Sequence, residues 1–133
     1  MNAYDPGRWL AASDEMLRGA GTLGPVAVAG SWWPKACACL IRLALENGID
    51  AYWQRTAPPV AQHGSRRTKL LMLRNRVDRT VVRRASFAWA TLSRATHHHC
   101  YELSPTSAEL RRLHTEVTAL VAHLDGQADG RVK

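Results

Sequence analysis

Residues 79–99 read RTVVRRASFAWATLSRATHHH. Their apolar positions Val81, Ala85, Ala88, Leu92 and Ala95 step by 4, 3, 4 and 3. That spacing marks one face of an α-helix with 3.6 residues per turn. The stretch therefore predicts a long helix from Arg79 to about His99, with Asp78 placed to cap its start. Downstream, Pro105 interrupts the pattern, and Thr106 with Glu109 stands at capping-box spacing. Leu110, Leu113, Val117, Leu120, Val121 and Leu124 then form a second apolar stripe. Two long antiparallel helices joined near residues 100–106 are expected.

Upstream, Ser65–Leu73 predicts a short basic helix. A longer helix starts around Ser31 and Pro34 and runs to about Gln54, where Pro58-Pro59 ends it. Leu40, Leu43, Ala44, Tyr52 and Trp53 are among its apolar positions, and Gly48 sits inside it. A weak first helix covers Asp5–Arg18, broken by the glycines and proline of residues 21–25, and a short apolar stretch follows at Val26–Ala29. No segment alternates with period two, so strands are not expected. The fold class is all-α: a small bundle of four to five helices in a single domain, 1–124, followed by a polar tail, 125–133, expected to be disordered.

Length and composition bound the possibilities. A chain of 133 residues with 46% hydrophobic and 22% charged residues is an ordinary globular domain. It holds no run of 18 apolar residues, which excludes a spanning helix and a membrane role of that kind. The opening residues lack a basic region followed by an apolar run, so no secretory signal is read there. Three cysteines, with Cys37 and Cys39 one residue apart, fit a reduced, cytoplasmic chain.

The net charge of +7 is unevenly placed. Between Ser65 and Arg94 nine basic residues face one acid, Asp78. Arg66, Arg67, Lys69, Arg74, Arg76, Arg79, Arg83 and Arg84 form a block suited to a polyanion: RNA, DNA or an acidic protein. A solvated helix face on a basic protein explains the same block.

The block leads into Arg94-Ala-Thr-His-His-His-Cys-Tyr101. An arginine, four intervening residues, a histidine, one residue and a tyrosine resemble the signature of HEPN ribonucleases. More narrowly, they resemble the HEPN toxins paired with a minimal nucleotidyltransferase antitoxin. The matching positions are Arg94, His99 and Tyr101. Arginine-to-histidine spacing alone is common by chance, but the full pattern is expected only about 0.02 times in such a chain. The residue after the arginine is often polar in this family, and here it is Ala95. The resemblance implies an all-helical fold, metal-independent RNA cleavage and a homodimer whose two motifs share one cleft. It also implies a nucleotidyltransferase partner that attaches adenylate to Tyr101. No cofactor and no resident metal are implied.

The chemistry is independently reasonable. Metal-free RNA cleavage needs a base for the 2′-hydroxyl, an acid for the leaving oxygen and positive charge on the phosphate. Histidine titrates in the useful range, and arginine offers a planar fork to phosphate oxygens. On a regular helix, residues five apart diverge by about 140°. Arg94 and His99 therefore need a loosened helix end, or a second copy of the chain, to act together.

Other readings of the same residues stand beside this one. Arg94 fits a surface ion pair, His99 a hydrogen-bonded core residue, and Tyr101 a packing residue. His97 with Cys100 or Tyr101 has one-face spacing for a metal, but no second clean ligand pair accompanies it. The five tryptophans read mainly as core, with the adjacent Trp32 and Trp33 as candidate exceptions. At the level of function, the alternative is a non-catalytic helical module that binds RNA or a nucleotide.

Overall fold

The computed structural model describes residues 5–23, 33–97 and 105–126. The Val26–Ala29 stretch, Trp32, His98, His99, Cys100, Tyr101 and the tail from residue 127 lie outside the described residues. The chain is an all-α helical bundle; among the described residues there are six α-helices and no strand. They are α1 (Pro6–Leu23), α2 (Trp33–Thr56), α3 (Pro58–His63), α4 (Arg66–Met72), α5 (Arg79–Thr96) and α6 (Ser107–Gly126), with one 3-10 turn at Leu73–Asn75.

Helix α2 is the centre, and α1, α5 and α6 pack around it. Its buried residues include Cys37, Ala38, Ile41, Ala44, Leu45, Ile49, Tyr52 and Trp53, spread over more than one face. They cover about half of the helix circumference, an arc wide enough to be enclosed by more than one neighbour. Gly48 is the point of closest approach, because a β-carbon there would come within 2.9 Å of a Val121 methyl on α6. Glycine leaves room there for the Val121 side chain of α6, at a cost of about 1 kcal/mol in helix propensity.

Helices α5 and α6 each bury one stripe. On α5 it is Val81, Ala85, Ala88, Leu92 and Thr96; on α6, Leu110, Val117, Leu120 and Leu124. Burying a side chain such as Leu92 contributes roughly 1.5–3 kcal/mol. Helices α5 and α6 pack together, with Arg84 of α5 bonded to Glu116 of α6 and residues of both lining one groove. Polar ties fix the periphery. Arg111 on α6 reaches Asp14 on α1 at 2.6 Å, and His114 Nε2 donates to the Leu10 carbonyl at 2.9 Å. Arg55 donates to the Leu124 carbonyl at 3.1 Å, satisfying one of the open acceptors at the end of α6.

Helix boundaries differ from the sequence expectation in four places. Helix α1 continues through Gly19 and Gly21 to Leu23, beyond Arg18. The short helix α3 was not expected, and it raises the count from four or five to six. Pro58 and Pro59 occupy its first positions, where a missing N–H costs nothing, so they start a helix as well as ending one. Helix α5 stops at Thr96 and not at His99, and α6 continues two residues past Leu124. Elsewhere the local signals hold. Ser65 caps α4 by accepting from the Thr68 N–H. The capping box of α6 is formed in both directions, with Thr106 Oγ1 accepting from the Glu109 N–H and Glu109 Oε1 from the Thr106 N–H. Asp78 occupies the N-cap position of α5 but makes no side-chain cap bond.

Candidate nucleic-acid interface

Opposite its buried stripe, α5 presents Arg79, Arg83, Ser86, Phe87, Arg94 and His97 at its exposed face and end. The grouping follows from helix geometry. Arg83 and Arg94 are eleven residues apart and return to within about 20° of each other. Arg94 lies in the last turn, exposed, with no side-chain partner among the described residues. His97 follows at the C-cap, where its backbone N–H donates to the carbonyls of Ser93 and Arg94 at 3.2 Å. Its ring is exposed, three residues from Arg94 on the same face. His99 and Tyr101 of the expected site lie outside the described residues. Helix α5 ends at Thr96, two residues after Arg94.

The basic block divides into two sets. Arg66 holds Asp50 through two bonds of 2.6 and 3.1 Å, and also donates to the Glu46 carbonyl at 3.2 Å. Lys69, only 7% exposed, reaches the same Asp50 at 2.9 Å. Burial alone would raise the Asp50 carboxyl, but the hydrogen bonds and charges of Arg66 and Lys69 outweigh it and hold the group below its ordinary value. Arg84 grips Glu116 with bonds of 2.6 and 2.9 Å, which lowers the Glu116 carboxyl. The Arg76 guanidinium lies 5.4 Å over the Trp53 ring. These four cations are engaged within the fold.

Arg67, Arg74, Arg79 and Arg83 are exposed and have no side-chain partner among the described residues. Three of them converge. Arg74, Arg79 and Arg83, with Leu70, Val82 and Ser86, line a groove of about 490 Å³ between α4 and α5. On the other flank of α5, a larger groove of about 700 Å³ runs against α6, lined by Phe87, Ala88, Leu113 and Arg112 among others. Phe87, 70% exposed, stands between the two grooves on the same crest as Arg83 and Arg94. Sequence reasoning missed Phe87, although its position four residues after Arg83 put it on that crest.

The cysteine and tryptophan expectations resolve in part. Cys37 is buried, and burial pushes its thiol up to about 11, leaving it an unreactive core side chain. Trp33 and Trp53 are core residues, and Trp89 is half-buried with its Nε1–H donated to Glu46 at 2.8 Å. Among the described residues, no three histidine, cysteine or acidic side chains gather as a metal site would require. No helix among them is long and apolar enough to cross a membrane. The surface can hold phosphates through permanent cations and can offer one aromatic face to a planar group. Comparison with known proteins yields no family model, curated protein or solved structure that matches this chain.

Proposed function

We propose that this protein is a metal-independent endoribonuclease of the HEPN toxin type, acting on RNA as a homodimer. Arg94 stabilises the scissile phosphate, and His99 is the general acid/base. The 2′-hydroxyl oxygen attacks the adjacent phosphorus as its proton passes to His99. The bond to the 5′-oxygen breaks, and that oxygen takes a proton from His99 of the partner subunit. The products carry a 2′,3′-cyclic phosphate and a free 5′-hydroxyl. Tyr101 is the site at which a nucleotidyltransferase antitoxin attaches adenylate, whose phosphate competes with RNA for Arg94. The reading is supported most directly by Arg94. It is exposed in the last turn of α5, with no side-chain partner among the described residues, on a crest shared with Arg79 and Arg83 and three residues before the histidine run begins.

The decisive experiment incubates purified protein with RNA in the presence of a chelator. His99→Ala should retain the helical circular dichroism and lose roughly 10²–10⁴-fold in cleavage rate. Unchanged cleavage by the variant overturns the assignment. Light scattering should report a dimer, and a monomer that still cleaves removes the shared cleft. Tyr101→Phe should cleave normally yet resist labelling by the partner enzyme with ATP.

A second reading is favoured by the basic groove itself, which lies at the opposite end of α5 from Arg94. In that reading the chain binds RNA or a nucleotide without cutting it. Salt-sensitive binding with no fragments in the same incubation would establish it.

A further inference from the structure

We infer that the outer crest of α5 is a track for single-stranded RNA, in which Phe87 stacks on a base while Arg79, Arg83 and Arg94 hold successive phosphates. The inference rests on the reading of RNA as the ligand, but it does not depend on cleavage.

Three observations carry it. First, Phe87 is the most exposed large apolar side chain among the described residues, at 70%, and on the crest Arg83 stands one turn before it and Arg94 two turns after it. An apolar protein partner would meet those charges at the centre of its contact. A nucleic acid strand is matched to them, because it alternates anionic and planar groups. Second, the two flanks of the crest differ in the way a nucleotide does. The α4–α5 flank is a groove with Arg74, Arg79, Arg83 and the Ser86 hydroxyl, suited to phosphate oxygens. The α5–α6 flank sets Phe87, Ala88 and Leu113 beside polar groups that include Arg112, Glu109 and Glu116, and offers about 700 Å³ beside the ring, room for a base laid against it. Arg83 and Phe87 are one turn apart, about 6 Å along the axis, so one nucleotide can engage both. Third, the crest is continuous. Arg79 and Arg94 are separated by about 22 Å of helix, and no acid on α5 interrupts them. A duplex has its bases stacked internally and cannot offer one to Phe87, so the track selects single strands.

The test uses the full chain and a labelled single-stranded RNA of about 12 nucleotides carrying one 2-aminopurine, beside the same sequence as a duplex. Binding is read by anisotropy and stacking by quenching of the 2-aminopurine. Phe87→Leu keeps an apolar side chain of similar size but has no ring. It should weaken single-strand binding by about 5- to 150-fold and abolish the quenching. Phe87→Tyr should keep both. The side chain is exposed, so neither change should alter helical content. If Phe87→Leu binds and quenches as the native chain does, or if duplex binds as tightly as single strand, the track is overturned while the ribonuclease reading stands. If Phe87→Leu instead dissociates a dimer, with RNA affinity unchanged per dimer, Phe87 is a contact between copies and the proposal fails. Absence of salt-dependent binding to either RNA would overturn the ribonuclease reading as well.

Discussion

Lys69 and Arg83 belong to the same basic block, yet they have opposite roles. Lys69 is buried on α4 and shares Asp50 with Arg66, so its charge is paired inside the fold. Arg83 stands on the crest of α5, exposed, with no side-chain partner among the described residues. Arg66 and Lys69 fasten α4 onto α2, helped by the Trp53 Nε1–H, which donates to the Lys69 carbonyl at 3.2 Å. Arg79, Arg83 and Arg94 on α5 pair with no side chain among the described residues, and their field extends into solvent. A run of basic residues is therefore not one patch. Where an acid faces the cation across a helix pair, the charge contributes structure; where none does, it is left for a partner.

The sharpest way to break this contrast is to remove Asp50. Asp50→Ala strands Lys69 as a buried, unpaired cation and should destabilise the fold by about 3–5 kcal/mol, read by urea unfolding. RNA affinity below the unfolding transition should not change. If stability barely moves, the inner cations are not structural and the contrast collapses. The reciprocal change, Arg79→Gln with Arg83→Gln, should leave stability within about 0.5 kcal/mol. It should lower the salt slope of single-strand binding by about 1.4, equivalent to roughly tenfold in affinity at 0.15 M salt. An unchanged slope would mean that these arginines do not touch phosphate.

Acid sharpens the comparison further. The folded Asp50 carboxyl titrates below its unfolded value of about 3.9, so its stabilisation is complete above that value and is lost as pH falls through the folded one. The stability gap between the native chain and Asp50→Ala should be constant from pH 7 to about 5 and narrow below about 4. A gap independent of pH would refute the pairing. The smallest effect is expected at Arg84, which lies between the two classes: paired with Glu116 but largely solvated. Arg84→Gln should cost about 1 kcal/mol or less, and high salt should erase most of that difference.

Some of this organisation was legible in the chain. The stripe Val81, Ala85, Ala88, Leu92 and Ala95 defined α5 because its spacing admits only one helical face; the first four are buried as expected and Ala95 is half-buried. Thr106 and Glu109 marked the start of α6 because a capping box is a local, reciprocal bond. Helix ends were less legible. α5 stops at Thr96 although the histidine run could have continued it, and Pro58-Pro59 opens α3 where a terminator was read. Single-residue propensities of this size, a few tenths of a kcal/mol, are easily overridden by packing.

The sequence by itself determined that the chain is helical, where its main apolar faces lie, and that its positive charge is concentrated between Ser65 and Arg94. Those properties follow from local periodicity and composition, which need no knowledge of neighbours. Only the tertiary structure decided which cations remain available. Arg66 and Asp50 are sixteen residues apart, and Arg84 and Glu116 thirty-two, so each pair exists only because helices distant in the chain are brought side by side. The same packing left Phe87 outside, between two grooves that no single helix contains.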